Sequence, residues 1–229
     1  MLKPKRKIIR KEIKKDPVLE KIAQTEHFLR EKGKLLSYVL IAVLVVAVLS
    51  IAMIRSKNKA NREAAGELGI AQMALTVGDV DNAIVQFEAL IDRNPGTKSA
   101  GMATLMLASA YMSKDDYENG ELNYRKYIDD YGHEAMFIAA AYNGLGVCYE
   151  KKEDFQKAAD YFKKGGDESP YEFLKTECYI NAIRNYLEIK NTAKAEALLK
   201  QIDPDNLDYK MKSEYDVLAA KVAVLKELI

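Results

Sequence analysis

A small residue recurs through this chain at Ala83, Gly120, Ala158 and Ala195, at intervals of 37, 38 and 37 residues. Four positions after each comes a large apolar side chain: Phe87, Tyr124, Phe162 and Leu199. On a helix, residues four apart lie one turn apart on the same face. Twelve positions after the small residue stand Pro95, Gly132, Pro170 and Leu207, and the first three of these break helices. A fixed period of this length marks stacked copies of one supersecondary unit, and it restricts the fold before any local reading begins.

The first half of each unit has its own pattern. The third unit reads Tyr142, Leu145, Gly146 and Tyr149, then the turn Lys151-Lys152-Glu153-Asp154, then Phe155, Ala158 and Phe162, and it closes at Pro170. The second reads Leu107, Ala108 and Tyr111, then Ser113-Lys114-Asp115-Asp116, then Tyr117, Gly120 and Tyr124. Ile70, Ala71 and Ala74 carry the pattern more weakly in the first unit, as do Ala182, Ile183 and Tyr186 in the fourth.

This arrangement resembles the tetratricopeptide repeat family, whose hallmark is W-x2-L-G-x2-Y, then A-x3-F and a closing proline. Here the Trp position holds Glu67, Thr104, Tyr142 and Tyr179, and the period exceeds the family's usual 34. The resemblance implies two amphipathic helices per unit that bury a continuous core only when stacked. The expected fold is all-α: one N-terminal transmembrane helix, then an α-solenoid of about four helix-turn-helix units near 63–95, 100–132, 136–170 and 174–207. These fill a repeat domain at 63–209. Residues 210–229 carry Met211, Tyr215, Leu218, Val222, Leu225 and Ile229 at steps of four and three. They are expected to form a capping helix, with a coiled-coil seam as the other reading of the same pattern.

Leu35 to Ile54 reads LLSYVLIAVLVVAVLSIAMI, without a charge or a proline. Twenty helical residues span about 30 Å, the thickness of a hydrocarbon core. Residues 35–54 are therefore expected to cross a membrane. Ser50 and Ala52 would also suit cleavage of a signal peptide, but both the leader and the apolar run are longer than is usual for one. Residues 1–34 hold twelve Lys/Arg and five acids, a net +7. Residues 55–62 add Arg55, Lys57, Lys59 and Arg62 as a basic juxtamembrane linker, which leaves 63–229 at −10. Short basic tails stay in the cytoplasm, whereas long acidic domains translocate largely regardless of charge. This gives a single-pass membrane protein, with 1–34 cytoplasmic and the repeats outside. An acidic domain repels phosphate, so nucleic acid is not an expected partner.

Catalytic chemistry finds no foothold. His27 and His133 are the only histidines, and Cys148 and Cys178 the only cysteines. These four are too scattered for a zinc site or a disulfide framework. Gly165-Gly166-Asp167-Glu168 is followed by Ser169 and lies after a helix, which makes it a turn rather than a nucleotide-cyclising signature. Asp203, Asp205 and Asn206 lack the spacing and glycine of a calcium loop. Neither an enzyme, a metal nor a cofactor is expected.

In a stack of this kind the first helices line a groove. By analogy with the family, Met102, Met106, Ser109, Met112, Asn143, Val147, Ile180 and Arg184 are expected to form a partner-binding groove. Ala83, Phe87, Gly120, Tyr124, Ala158, Phe162, Ala195 and Leu199 are expected to pack the repeats. The flexible thioethers suit adaptable apolar binding and equally suit core filling.

A run from Thr25 through Phe28, Gly33 and Lys34 to Leu36 leads directly into the apolar segment. A short tail with this run, one span, then tetratricopeptide repeats: this architecture resembles the bacterial YfgM-like family, ancillary subunits of the Sec translocon. The resemblance implies a periplasm-facing scaffold that binds emerging secreted polypeptides or periplasmic chaperones and is held by the lipid bilayer. Two other readings share the repeat signal: an envelope-assembly or cell-division coordinating scaffold, and an organellar import receptor. The oligomeric state is left open by the residues.

Overall fold

The computed structural model describes residues 17–227. Residues 1–16 of the expected basic tail and residues 228–229, with Ile229 of the expected capping pattern, lie outside them. Among the described residues every regular element is a helix: α1 (Pro17–Thr76), α2 (Val80–Arg93), α3 (Lys98–Ser113), α4 (Tyr117–Lys126), α5 (Ala135–Lys151), α6 (Phe155–Glu168), α7 (Glu172–Glu188), α8 (Thr192–Leu199) and α9 (Tyr209–Glu227). A π-turn at Tyr127–Tyr131 extends α4, and a 3-10 turn at Pro204–Asn206 precedes α9. The chain divides into two compact units, residues 1–56 and 57–229.

In the first unit, the run from Leu35 to Ile54 is exposed throughout, and none of it packs inside the protein. The helix is long and apolar enough to cross a membrane. Residues 55–62, expected as a linker, are helical and belong to α1. They contain no proline or glycine that would stop the helix.

In the second unit α3 pairs with α4, α5 with α6 and α7 with α8, and Ala71 and Ala74 at the end of α1 share a buried cluster with Ala83 and Phe87 of α2. α9 packs on α7 and α8. Every first helix ends in the same way. Gly78, Asp115, Glu153 and Lys190 take positive φ, at 83°, 59°, 59° and 54°. The residue after each sends its N–H five positions back: Asp79 to Ala74 at 2.9 Å, Asp116 to Tyr111 at 3.0 Å, Asp154 to Tyr149 at 2.9 Å and Asn191 to Tyr186 at 2.8 Å. This is a Schellman closure, which satisfies carbonyls left over at a helix end. The same Asp or Asn then caps the next helix, its side chain accepting from the backbone N–H of Asn82, Asn119, Lys157 or Lys194. One residue thus stops one helix and starts the next.

Ala83, Phe87, Gly120, Tyr124, Ala158, Phe162, Ala195 and Leu199 are all buried. They belong to three successive apolar clusters, or stand at their edges, along the stack. The small positions let neighbouring helices approach closely. A Cβ on Gly146 would lie 2.5 Å from the Phe162 ring, and one on Gly144 would lie 2.2 Å from the Tyr124 ring. α5 therefore receives one ring from its own second helix and one from the second helix of the unit before. At the C-terminal end, Leu218 and Val222 are buried against the cluster of α7 and α8, with Met211, Tyr215 and Leu225 beside them.

Candidate partner-binding face

The first helices are tied to one another in sequence. The amide of Gln72 on α1 donates to the Met106 sulfur at 3.1 Å. The Cys148 thiol donates to the Met112 sulfur at 3.1 Å, and the Cys178 thiol to Asn143 Oδ1 at 3.7 Å. Asn185 Nδ2 donates to Glu150 Oε1 at 3.0 Å, and the Arg184 guanidinium pairs with Glu214 on α9. The four first helices, α1, α3, α5 and α7, and the terminal α9 are thereby joined by polar and sulfur contacts.

These contacts sort the expected groove residues. Ser109 is exposed, and Met102, Asn143, Val147 and Arg184 are half-buried. Met106 packs against the first apolar cluster and Met112 against the second, where it lies over Gly120. Ile180 is only 3% exposed and sits in the third cluster, so it packs the stack and offers no surface to a partner. Ala103 and Ala110 are likewise buried. The accessible register of α3 runs through Met102 and Ser109, one position earlier than Ala103 and Ala110. One residue of register is a rotation of about 100° on a helix, which separates the two pairs.

A second set of contacts crosses from each first helix to the preceding second helix. The hydroxyls of Tyr111, Tyr149 and Tyr186 each donate at 2.6 Å, to Glu88, Glu121 and Asp160 respectively. The tyrosines stand at one repeat position, 38 and 37 residues apart, and the same position in the first unit is Ala74. Burial and the Glu88 carboxylate push the Tyr111 hydroxyl up to about 12. Glu121 is a hub: Lys152 reaches it at 2.8 Å and Arg125 at 3.0 Å, beside Tyr149. Burial alone would raise its carboxyl, but the hydrogen bonds from Lys152, Tyr149 and Arg125 outweigh burial and hold it at about 2. Burial pushes the Cys148 and Cys178 thiols up, to about 11 and about 12, so neither is an activated nucleophile. Among the described residues, no group of three or more His, Cys, Asp or Glu is placed to hold a metal.

A cleft of about 730 Å³ opens where the N-terminal ends of α3 and α5 meet the π-turn and residues 57–68 of α1. Its polar wall carries Lys57, Lys98, Asp130 and Glu134, and its apolar wall carries Tyr127, Tyr131 and Phe137. Sequence reasoning missed this cleft. The π-turn supplies Tyr127, Asp130 and Tyr131 together, and no residue pattern forecasts a π-turn.

Helix pairs of fixed period, joined by identical caps and burying one continuous row of cores, define an α-solenoid of helix-turn-helix repeats. The chain belongs to the tetratricopeptide repeat-like domain family, whose model matches residues 26–142, and a further tetratricopeptide repeat matches residues 139–165. Among solved structures, the MamA protein is similar at a TM-score of 0.52 and 18% identity, over 72% of this chain and 92% of that one. A Podosopora anserina putative kinesin light chain with TPR-like repeats is similar at a TM-score of 0.53 and 14% identity, over 73% and 96%. At such identities these likenesses concern the fold alone. No curated protein matches the sequence. Repeats of this family indicate a protein–protein interaction scaffold, and the family is typically non-enzymatic.

Proposed function

We propose that this protein is a scaffold anchored in the inner membrane by residues 35–54, with its repeats outside the cytoplasm. We propose further that it is an ancillary subunit of the Sec translocon that binds emerging polypeptides or periplasmic chaperones. The observation that carries the reading is the pairing of a wholly exposed, uncharged apolar run with a family repeat domain in one chain. Exposed apolar surface on that scale needs a bilayer or a partner to cover it. The excess of Lys/Arg before the run supports a cytoplasmic N-terminus. The YfgM-like run from Thr25 to Leu36 supports the translocon as neighbour. On this reading Met102, Ser109, Asn143, Val147 and Arg184 contribute the surface that meets a protein partner, with Met106 and Met112 backing it.

The test has two arms. Protease added to intact spheroplasts should digest the repeats and leave the N-terminal tail, and protected repeats would reverse the orientation. The full chain, purified in mild detergent, should bring the translocon channel subunits with it. Recovery of division or outer-membrane assembly proteins without channel subunits would replace the translocon assignment.

A further inference from the structure

We propose that the cleft between α3, α5 and the π-turn binds the headgroup of a zwitterionic, amine-bearing phospholipid, phosphatidylethanolamine in chemical class. The inference rests on residues 35–54 spanning a bilayer.

Position comes first. Lys57 lies three residues after Ile54, the last residue of the apolar run. Three residues of chain reach at most about 11 Å. The headgroup layer on each side of a ~30 Å core is roughly 5–7 Å thick. Chain connectivity alone thus holds one wall of the cleft within reach of headgroups, whatever angle the domain adopts.

Chemistry comes second. The charged wall is balanced, with Lys57 and Lys98 against Asp130 and Glu134. A purely anionic headgroup would leave the two carboxylates facing it, and a purely cationic ligand would face the two ammonium groups. A phosphate and an ammonium in one molecule answer both. The lysines would hold the phosphate. Two first-turn amides of α3 are already engaged, Lys98 N–H with Asn61 Oδ1 at 3.0 Å and Ala100 N–H with the Thr97 hydroxyl at 3.1 Å, so the contact falls mainly to the lysine side chains. Lys98 and Glu134 lie 3.6 Å apart as an exposed pair, which water and salt weaken and a ligand can open. Tyr131 is half-buried and stacks on the buried Tyr127 with centroids 6.5 Å apart, so it is the ring of this pair that can meet an ammonium. Tyr131 is fixed there because it packs on Gly101, where a Cβ would come within 3.0 Å of it. The volume, about 730 Å³, is within the range of small-molecule sites. π-turns also concentrate at functional sites. An extended peptide is the competing occupant, and the test below tells the two apart.

The test uses the full chain in detergent, titrated separately with phosphatidylethanolamine, phosphatidylcholine and phosphatidylglycerol, with bound lipid counted by native mass spectrometry. One phosphatidylethanolamine should be retained about tenfold more tightly than either other lipid, the size of one charge-assisted hydrogen bond that a primary ammonium donates to a carboxylate and a trimethylammonium cannot. The double variant Asp130→Asn/Glu134→Gln should lose that preference while keeping its helical circular dichroism. Equal retention of all three lipids, preference for phosphatidylglycerol, or selectivity untouched by the double variant would overturn the proposal. So would a secreted polypeptide crosslinking at Tyr131 that no lipid displaces. Alkaline extraction of membranes separates the two premises. A chain that washes out has no span. A chain that stays in and shows no headgroup preference has a span and lacks this site.

Discussion

The hydroxyl of Tyr186 donates to the Asp160 carboxylate at 2.6 Å, joining the first helix of the fourth unit to the second helix of the third. Tyr186 is only 1% exposed, while the Asp160 side chain that accepts from it is 47% exposed. Hydrogen bonds to a charged group contribute about 1.5–3 kcal/mol. Tyr186→Phe should lower the unfolding free energy by about that amount. Tyr111→Phe, at the more open first junction, should cost less. Denaturant melts of the two variants compare them directly, and equal losses would show that burial does not set the strength of the bond.

Glu121 predicts an acid limb. Its carboxyl is held at about 2 in the folded state, below the ordinary value of 4.5. A depressed folded pKa gives stability that is complete above the unfolded value and is lost as pH falls through the folded one. The second-to-third junction should therefore weaken from about pH 5 down to about pH 2. Glu121→Gln should flatten that part of the stability profile, measured by urea midpoints across the range. An unchanged slope would mean that Glu121 is not ion-paired in solution. At the other extreme, Tyr111 has a raised pKa of about 12, so its contribution is present below pH 10 and is lost between about pH 10 and 12.

The caps predict opposite signs for adjacent substitutions. Asp154→Ala removes the N-cap of α6 and should cost about 1 kcal/mol. Glu153 beside it has φ 59°, a conformation that costs a non-glycine residue roughly 1–2 kcal/mol. Glu153→Gly relieves that cost but loosens the unfolded chain, so its net gain should be at most about 1 kcal/mol. Thermal melts showing stabilisation by Asp154→Ala would contradict the shared-cap geometry.

Gly146→Ala should destabilise although alanine is the better helix former. The added Cβ would meet the fully buried Phe162 ring at 2.5 Å, and overpacking of a closed core costs about 1–3 kcal/mol. Lys152→Ala is no neutral control, because Lys152 binds Glu121 at 2.8 Å. Lys221→Ala, on an exposed position of α9 away from this packing, serves better. If Gly146→Ala melts above the parent, the ring can move and the α5–α6 packing is looser than described.

Much of the stack was legible because alternating small and large residues repeat at a spacing that only packed helices require. The turns were less so. Gly78 advertises its positive φ, but Asp115, Glu153 and Lys190 reach the same conformation without glycine, held by the Schellman bonds around them. The tyrosine ties were half visible. Tyr111, Tyr149 and Tyr186 keep the period, whereas their acceptors sit five, one and two residues after the small position of their own units. A carboxylate can approach one hydroxyl from several helix positions, so its placement need not repeat. The groove assignment turned on a single residue of helix phase, which composition does not fix: Met102 and Ser109 lie on the accessible side, Ala103 and Ala110 within the packing.

Ala74 occupies the tyrosine position of the first unit, where no earlier second helix offers a carboxylate. The array consequently has a direction of growth. A unit duplicated in the interior or near the C-terminal end brings its own tyrosine to the acidic side chain of its predecessor, and the junction closes as its neighbours do. A unit placed ahead of the first would meet a methyl group and leave its own acid unclaimed. Lengthening of such an array, by recombination or by design, is open towards α9 and blocked at the side where the chain enters from the apolar helix.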